Sequence, residues 1–159
     1  MDKEILKMRK FEKIKDEYLM YGQKSEDIKM PVRATKHSVC YDCYSPIDTT
    51  IQPGETELIF INVKAYCNHD EGFALATTSG MGRKEIMVSQ GLGIIEGDYA
   101  DNDKNDGNIG FMLYNHGKNP YEIKKGDKIG HIYFFKFLTV DNEEEITTIR
   151  NGGFGSTNK

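Results

Sequence analysis

From Ile28 onward, apolar and polar positions fall in short alternating runs divided by turn residues, a period of two that predicts strands. One such run, residues 56–63, follows the turn Gln52-Pro-Gly-Glu55, and others are predicted over 72–77, 93–96, 108–114, 121–123 and 129–137. Strands this short and this evenly spaced make a sandwich or barrel, so the fold class expected is all-β. The run 129–137 carries Tyr133, Phe134, Phe135 and Phe137 and reads as a central strand covered on both faces, not as a base-stacking surface. Residues 1–23 differ. Phe11, Ile14, Tyr18 and Tyr21 recur at three and four, which predicts a helix ended near Gly22 and packed outside the main domain. The polar stretch Asn102-Asp-Lys-Asn-Asp-Gly107 is expected to be an exposed connection between antiparallel strands.

Length narrows the organisation to one compact domain, since 159 residues bury a sizeable core but do not divide comfortably into two. A net charge of −4 argues against a broad electrostatic grip on nucleic acid or an anionic membrane, so any phosphate contacts are expected to be local. No apolar run reaches the length of a membrane span, and Met1-Asp-Lys-Glu-Ile-Leu lacks a secretory pattern, which predicts a cytoplasmic protein. Three cysteines, an odd number without framework spacing, are expected to be reduced. Cys40 and Cys43 match C-x-x-C, but inside a strand positions three apart face opposite ways, so no zinc site is assigned there. His37, His69 and His116 are read as ordinary polar residues.

The closing segment, Arg150-Asn-Gly-Gly-Phe-Gly-Ser-Thr-Asn-Lys159, is rich in glycine and cannot hold itself in a helix or strand. Composition alone favours a frayed end. Its contents also suit a segment that closes on a phosphate-bearing ligand, with backbone N–H groups and hydroxyls for the anion and a phenyl face for a base. It is not a Walker loop, because the G-x-x-x-x-G-K-[ST] spacing is missing.

Four upstream segments decide between these readings. They are Ser38-Val-Cys-Tyr-Asp-Cys-Tyr44, Thr78-Ser-Gly-Met-Gly82, Gly93-Ile-Ile-Glu-Gly-Asp-Tyr99 and Gly126-Asp-Lys-Ile-Gly-His-Ile-Tyr-Phe134. Together with Gly152-Gly-Phe-Gly-Ser-Thr157 they resemble, in order, the five motifs of the homotrimeric dUTPase (dUTP diphosphatase) family, over about Pro31 to Lys159. The arm followed by Pro31-Val-Arg-Ala-Thr35 is similar to divergent members in clostridial and phage genomes. The resemblance implies a jelly-roll-like β-barrel, a homotrimer with sites shared between subunits, and a Mg²⁺-dependent hydrolysis of dUTP to dUMP and diphosphate. The chain then divides into an N-terminal arm, partly helical (1–27), a barrel domain (28–149) and a mobile C-terminal lid (150–159).

The same resemblance implies roles. Asp42, Ser79, Gly80 and His131 fall in the motifs that surround the triphosphate, with Asp42 toward the Mg²⁺. Glu96 stands at the base position, and Tyr99 packs on the sugar to disfavour a 2′-hydroxyl. Arg150, Phe154, Gly155, Ser156 and Thr157 belong to the closing arm, with Phe154 over the base. Asp98 and Asp101 are read as solvated turn residues. Four changes depart from the family pattern: Glu96 replaces Asp, Thr78 replaces Arg, His131 replaces Gln, and the pair Val39-Cys40 replaces Ala-Gly. A carboxylate moved by one methylene and a lost guanidinium fork both bear on catalysis. Two functions therefore remain open, a dUTP diphosphatase with Glu96 as base, or an inactive relative that sequesters a nucleotide or nucleotide-derived signal, as in viral counter-defence. A regulator that binds a host protein through the trimer surface has no motif behind it.

Overall fold

The computed structural model describes residues 9–148 and 150–155. In chain order the strands are β1 (Lys10–Lys13), β2 (Tyr41–Tyr44), β3 (Thr49–Ile51), β4 (Thr56–Phe60), β5 (Val63–Tyr66) and β6 (Glu71–Ala76). After a short helix α1 (Ser79–Arg83) come β7 (Ile86–Val88), β8 (Gly93–Glu96), β9 (Gly110–Asn115), β10 (Tyr121–Ile123) and β11 (Lys128–Lys136). All pairings are antiparallel. A four-stranded sheet runs β2-β11-β6-β8, a three-stranded sheet β4-β9-β7, and two ribbons pair β1 with β5 and β3 with β10. The core between them holds Phe73, Phe111, Ile59, Ile86, Leu113 and Ile132, all buried. This is the all-β class that the alternating pattern predicts, in the jelly-roll-like form that the family resemblance implies.

β11 is central as expected, with β2 on one side and β6 on the other. Ile129 and Ile132 are fully buried, while the aromatic end of the strand opens toward solvent. The run 56–63 divides in two, because Asn62 takes a left-handed φ of 60° and turns the chain from β4 into β5. Asparagine tolerates that conformation and its amide here donates to the Met20 carbonyl and to Gln23.

The helix expected over the N-terminal arm is absent from the described part of it. Residues 10–13 form β1, and single 3₁₀ turns cover Asp16–Tyr18 and Ser25–Asp27. Nor does this segment stay outside: Ile14 is buried, and the Phe11 ring sits 5.2 Å from Tyr41 and 5.6 Å from Phe134. An isolated short helix gains little in water, whereas β1 satisfies the otherwise open edge of β5 and buries the same side chains.

The stretch 102–107 is a second correction. Asn102, Asp106 and Gly107 are buried, and the chain folds back on itself through its own side chains. Asn102 accepts from the Lys104 and Asn105 amides, and Asn105 accepts from that of Gly107. Gly107 has φ of 88°, and a Cβ there would lie 2.6 Å from the Ala100 Cα. Gly107→Ala is therefore expected to destabilise the protein by about 2 kcal/mol or more, read as a lower urea midpoint with unchanged slope. An unchanged midpoint would mean that the turn can open at little cost.

Candidate functional site

The sequence-predicted residues assemble into two clusters at different corners of the four-stranded sheet. In the first, Asp42 on β2 lies opposite His131 on β11, which lies opposite Ala76 at the end of β6. Ser79 and Gly80 come three and four residues after Ala76, exposed in the first turn of α1. The Asp42 side chain is nearly buried and pairs with the Lys128 ammonium at 3.0 Å. Burial lowers the His131 pKa below the ordinary histidine value, with Asp42 opposing and Lys128 adding to the shift. The ring is thus biased toward its neutral form, which can donate at one nitrogen and accept at the other, as an amide does.

Thr78 has a local task in this cluster. It is the N-cap of α1, its hydroxyl accepting from the Met81 amide at 3.3 Å. The cations that follow, Arg83 and Lys84, line a separate cavity of about 570 Å³ with Tyr121 and Glu122.

The second cluster surrounds a cavity of about 260 Å³ between β8, β9 and the tail, lined by Leu75, Gln90, Ile94, Glu96, Tyr99, Arg150, Phe154 and Gly155, among others. Glu96 closes β8 with a half-exposed side chain, and its carboxylate meets the Arg150 guanidinium at 3.0 Å. The same guanidinium reaches Asp98 at 3.1 Å, so Asp98 is an ion-pair partner and not a merely solvated turn residue. Phe154 packs edge-on against Phe60, ring centroids 5.6 Å apart, and Gly153 lies so close to the Tyr99 ring that a Cβ would come within 2.7 Å of it. The described part of the tail is thus seated on the pocket of its own chain. Ser156 and Thr157 lie outside the described residues.

Tyr99 is buried, and its hydroxyl donates to the Asn108 carbonyl at 2.6 Å while accepting from Asn105 at 2.7 Å. Burial raises the pKa of this phenol, which stays protonated. Asp101 is the other turn residue that the sequence misplaced. Its carboxylate meets the buried Lys64 ammonium at 2.7 Å and the Tyr66 hydroxyl at 2.6 Å. Lys64 also meets Asp106 at 3.0 Å. Lys64 carried no sequence signal, because its partners Asp101 and Asp106 lie some forty residues further along the chain.

The register sets how far apart the clusters are. Glu96 lies opposite Gly72 on β6, four residues from Ala76, and β8 is three strands from β2. At about 3.4 Å per residue and 4.8 Å per strand, Asp42 and Glu96 are separated by about 20 Å along the sheet. Side chains so placed in one chain cannot act on the same phosphate. The described residues contain no group of three or more His, Cys, Asp or Glu side chains able to hold a metal, and no helix long and apolar enough to cross a membrane.

The protein is thus an all-β domain with a cavity walled by a carboxylate, a buried tyrosine and a glycine-rich tail. The dUTPase family model matches residues 26–158, and the chain belongs to the dUTPase family. It is 32% identical over 136 residues to the deoxyuridine 5′-triphosphate nucleotidohydrolase of Lactococcus lactis, covering 84% of this chain and 91% of that protein. The corresponding protein of fowlpox virus is 33% identical over 140 residues, 84% of this chain and 92% of its own. Among solved structures, the dUTPase of Streptococcus mutans superimposes with a TM-score of 0.70 at 28% identity, covering 83% of this chain and 98% of that one.

Proposed function

We propose that the protein is a dUTP diphosphatase that works as a homotrimer, with Glu96 as the general base. The observation that carries this reading is the cavity in which Glu96, Tyr99, Arg150 and Phe154 converge, in a chain of the dUTPase family. Within it, Glu96 takes a proton from a water as the water oxygen bonds to the α-phosphorus, and the bond from that phosphorus to the bridging oxygen breaks. The products are dUMP and diphosphate, with the electron pair leaving on the diphosphate. Tyr99 packs on the deoxyribose, and Phe154 covers the base. Arg150, which already bridges two carboxylates at the pocket rim, is placed to exchange them for phosphate oxygens.

The separation between Asp42 and Glu96 supports the trimer. A triphosphate site using both needs them from different copies, with Asp42, Ser79, Gly80 and His131 of one subunit facing the Glu96 pocket of another. Magnesium fits as an ion that arrives with the nucleotide, since Mg²⁺ is commonly held by phosphates, waters and one or two carboxylates, not by a dedicated protein cage. Asp42 is the carboxylate that would hold it, beside Lys128. When bound, the ion supplies charge stabilisation at the phosphate oxygens. A protein that acts in the cytoplasm on nucleotide pools fits this reading.

A second reading is favoured by specific contacts. Glu96 is engaged by Arg150, and Thr78 is committed to capping α1 where the family pattern has a phosphate-binding arginine. These contacts suit a barrel that holds a nucleotide or nucleotide-derived signal without turning it over, because binding without added stabilisation of the transition state gives no rate.

Release of dUMP from dUTP and Mg²⁺ separates the two. We expect turnover by the parent protein, and an increase of roughly tenfold to a hundredfold in kcat/KM for the double variant Glu96→Asp, Thr78→Arg, which restores carboxylate reach and a phosphate fork. Tight nucleotide binding with no product from the parent would favour the sequestering protein.

A further inference from the structure

The connection after Tyr99 grips that residue at both its backbone and its side chain. Asn102 donates to the Tyr99 carbonyl at 2.7 Å, and Asn105 donates to the Tyr99 hydroxyl at 2.7 Å. The two asparagines are bonded to each other at 2.7 Å, so both contacts come from one unit. The unit is clamped from below by Lys64, whose buried ammonium meets Asp101 and Asp106 near the two ends of the turn. The Lys15 amide, brought in by the segment after β1, donates to the same Asp106 carboxylate at 2.9 Å.

Such a grip has a consequence for recognition. An apolar wall rejects an added hydroxyl weakly if it can retreat, because a shift of a fraction of an ångström makes room and leaves no polar group of the protein unpaired. A phenol whose oxygen is fixed between one donor and one acceptor cannot tilt away without breaking a hydrogen bond in a buried place. The ring lines the cavity, and its hydroxyl is turned away into the Asn105–Asn108 cradle.

We propose that Asn105, braced by Asn102 and by the Lys64–Asp101–Asp106 clamp, is a specificity-determining positioning residue that fixes the Tyr99 ring and so sets how strongly a 2′-hydroxyl on the nucleotide is refused. This rests on the reading of the cavity as a deoxynucleotide site. Asn105 acts through Tyr99 and does not itself line the cavity.

The test compares kcat/KM for dUTP and UTP, and binding of their α,β-imido analogues, in the parent, Asn105→Ala, Tyr99→Phe and the double variant, each with its thermal midpoint. Asn105→Ala is expected to lower the dUTP-over-UTP preference roughly tenfold, about the worth of one neutral hydrogen bond, mainly through better use of UTP. The double variant should match the preference of Tyr99→Phe alone, since without the hydroxyl Asn105 no longer holds the ring. A lowered midpoint with unchanged preference in Asn105→Ala would make the loop structural only and overturn the proposal, as would additive losses in the double variant. If Asn105→Ala does not fold, Tyr99→Phe decides, and an unchanged preference in it is equally fatal. A parent protein that does not prefer the deoxy form in either turnover or binding removes the deoxynucleotide reading itself, and the inference with it, before any variant is compared.

Discussion

Replacing Glu96 by glutamine is expected to slow dUMP release by roughly a thousandfold, while affinity for the imido analogue of dUTP stays within a few-fold of the parent's. Glutamine keeps the length and shape of the side chain and can still accept from Arg150, but it cannot take a proton from water. Because the side chain is 56% exposed, the ion pair it forms with Arg150 contributes little to folding, so the loss would be one of chemistry and not of structure. Rapid-quench measurement of dUMP alongside calorimetric binding gives the two numbers. A rate that falls less than tenfold would place the base elsewhere.

The second large effect concerns stability. Lys64→Met is expected to destabilise the protein by about 3 kcal/mol or more at neutral pH, because it leaves Asp106, which is almost wholly buried, without its cation. Burial works against the charge on Lys64, but hydrogen bonds with Asp101, Asp106 and Tyr66 outweigh it and hold its pKa above the ordinary lysine value. The contribution of Lys64 is therefore fully present below that ordinary value and is lost only as pH rises through the higher folded one.

Asp101 sets the acid limit. Burial works against its charge too, yet bonds from Lys64 and Tyr66 bring its pKa below the ordinary aspartate value, so its contribution is present above that value and lost as pH falls through the folded one. The gap between parent and variant should accordingly be widest near neutrality and narrow in acid. Tyr66, pushed up to about 12 by burial and its bond to Asp101, stays protonated across that range. Urea titrations of both proteins between pH 3 and pH 8 would read the difference, at roughly one-unit steps across the carboxylate range. Equal midpoints throughout would mean that the clamp adds nothing to folding.

Much of the fold was legible because a strand with one buried face writes its period of two into the sequence, as in 108–114. The motifs also named residues that come together in space: Glu96 and Tyr99 line one cavity, and Asp42 lies opposite His131. Where the reading failed, long-range partners were the cause. Phe11 and Ile14 repeat at a helical interval, yet the unpaired edge of β5 draws residues 10–13 into a strand and Ile14 is buried just after it. Asp106 has the setting of an exposed turn, but Lys64, some forty residues away, gives its carboxylate a buried partner. Composition reports what a residue would lose in leaving water, not what it finds inside.

By itself the sequence determined the all-β class, the order of the motifs and hence the family, and the chemical types offered at each motif, since these depend on local period and residue identity alone. Only the tertiary structure decided that Thr78 is spent on a helix cap, that Arg150 bridges Glu96 and Asp98, and that Asp42 and Glu96 stand about 20 Å apart along one sheet. Those outcomes depend on strand register and on pairings between distant segments. A one-dimensional pattern fixes which face a side chain takes, but only the assembled sheet fixes which neighbour it meets.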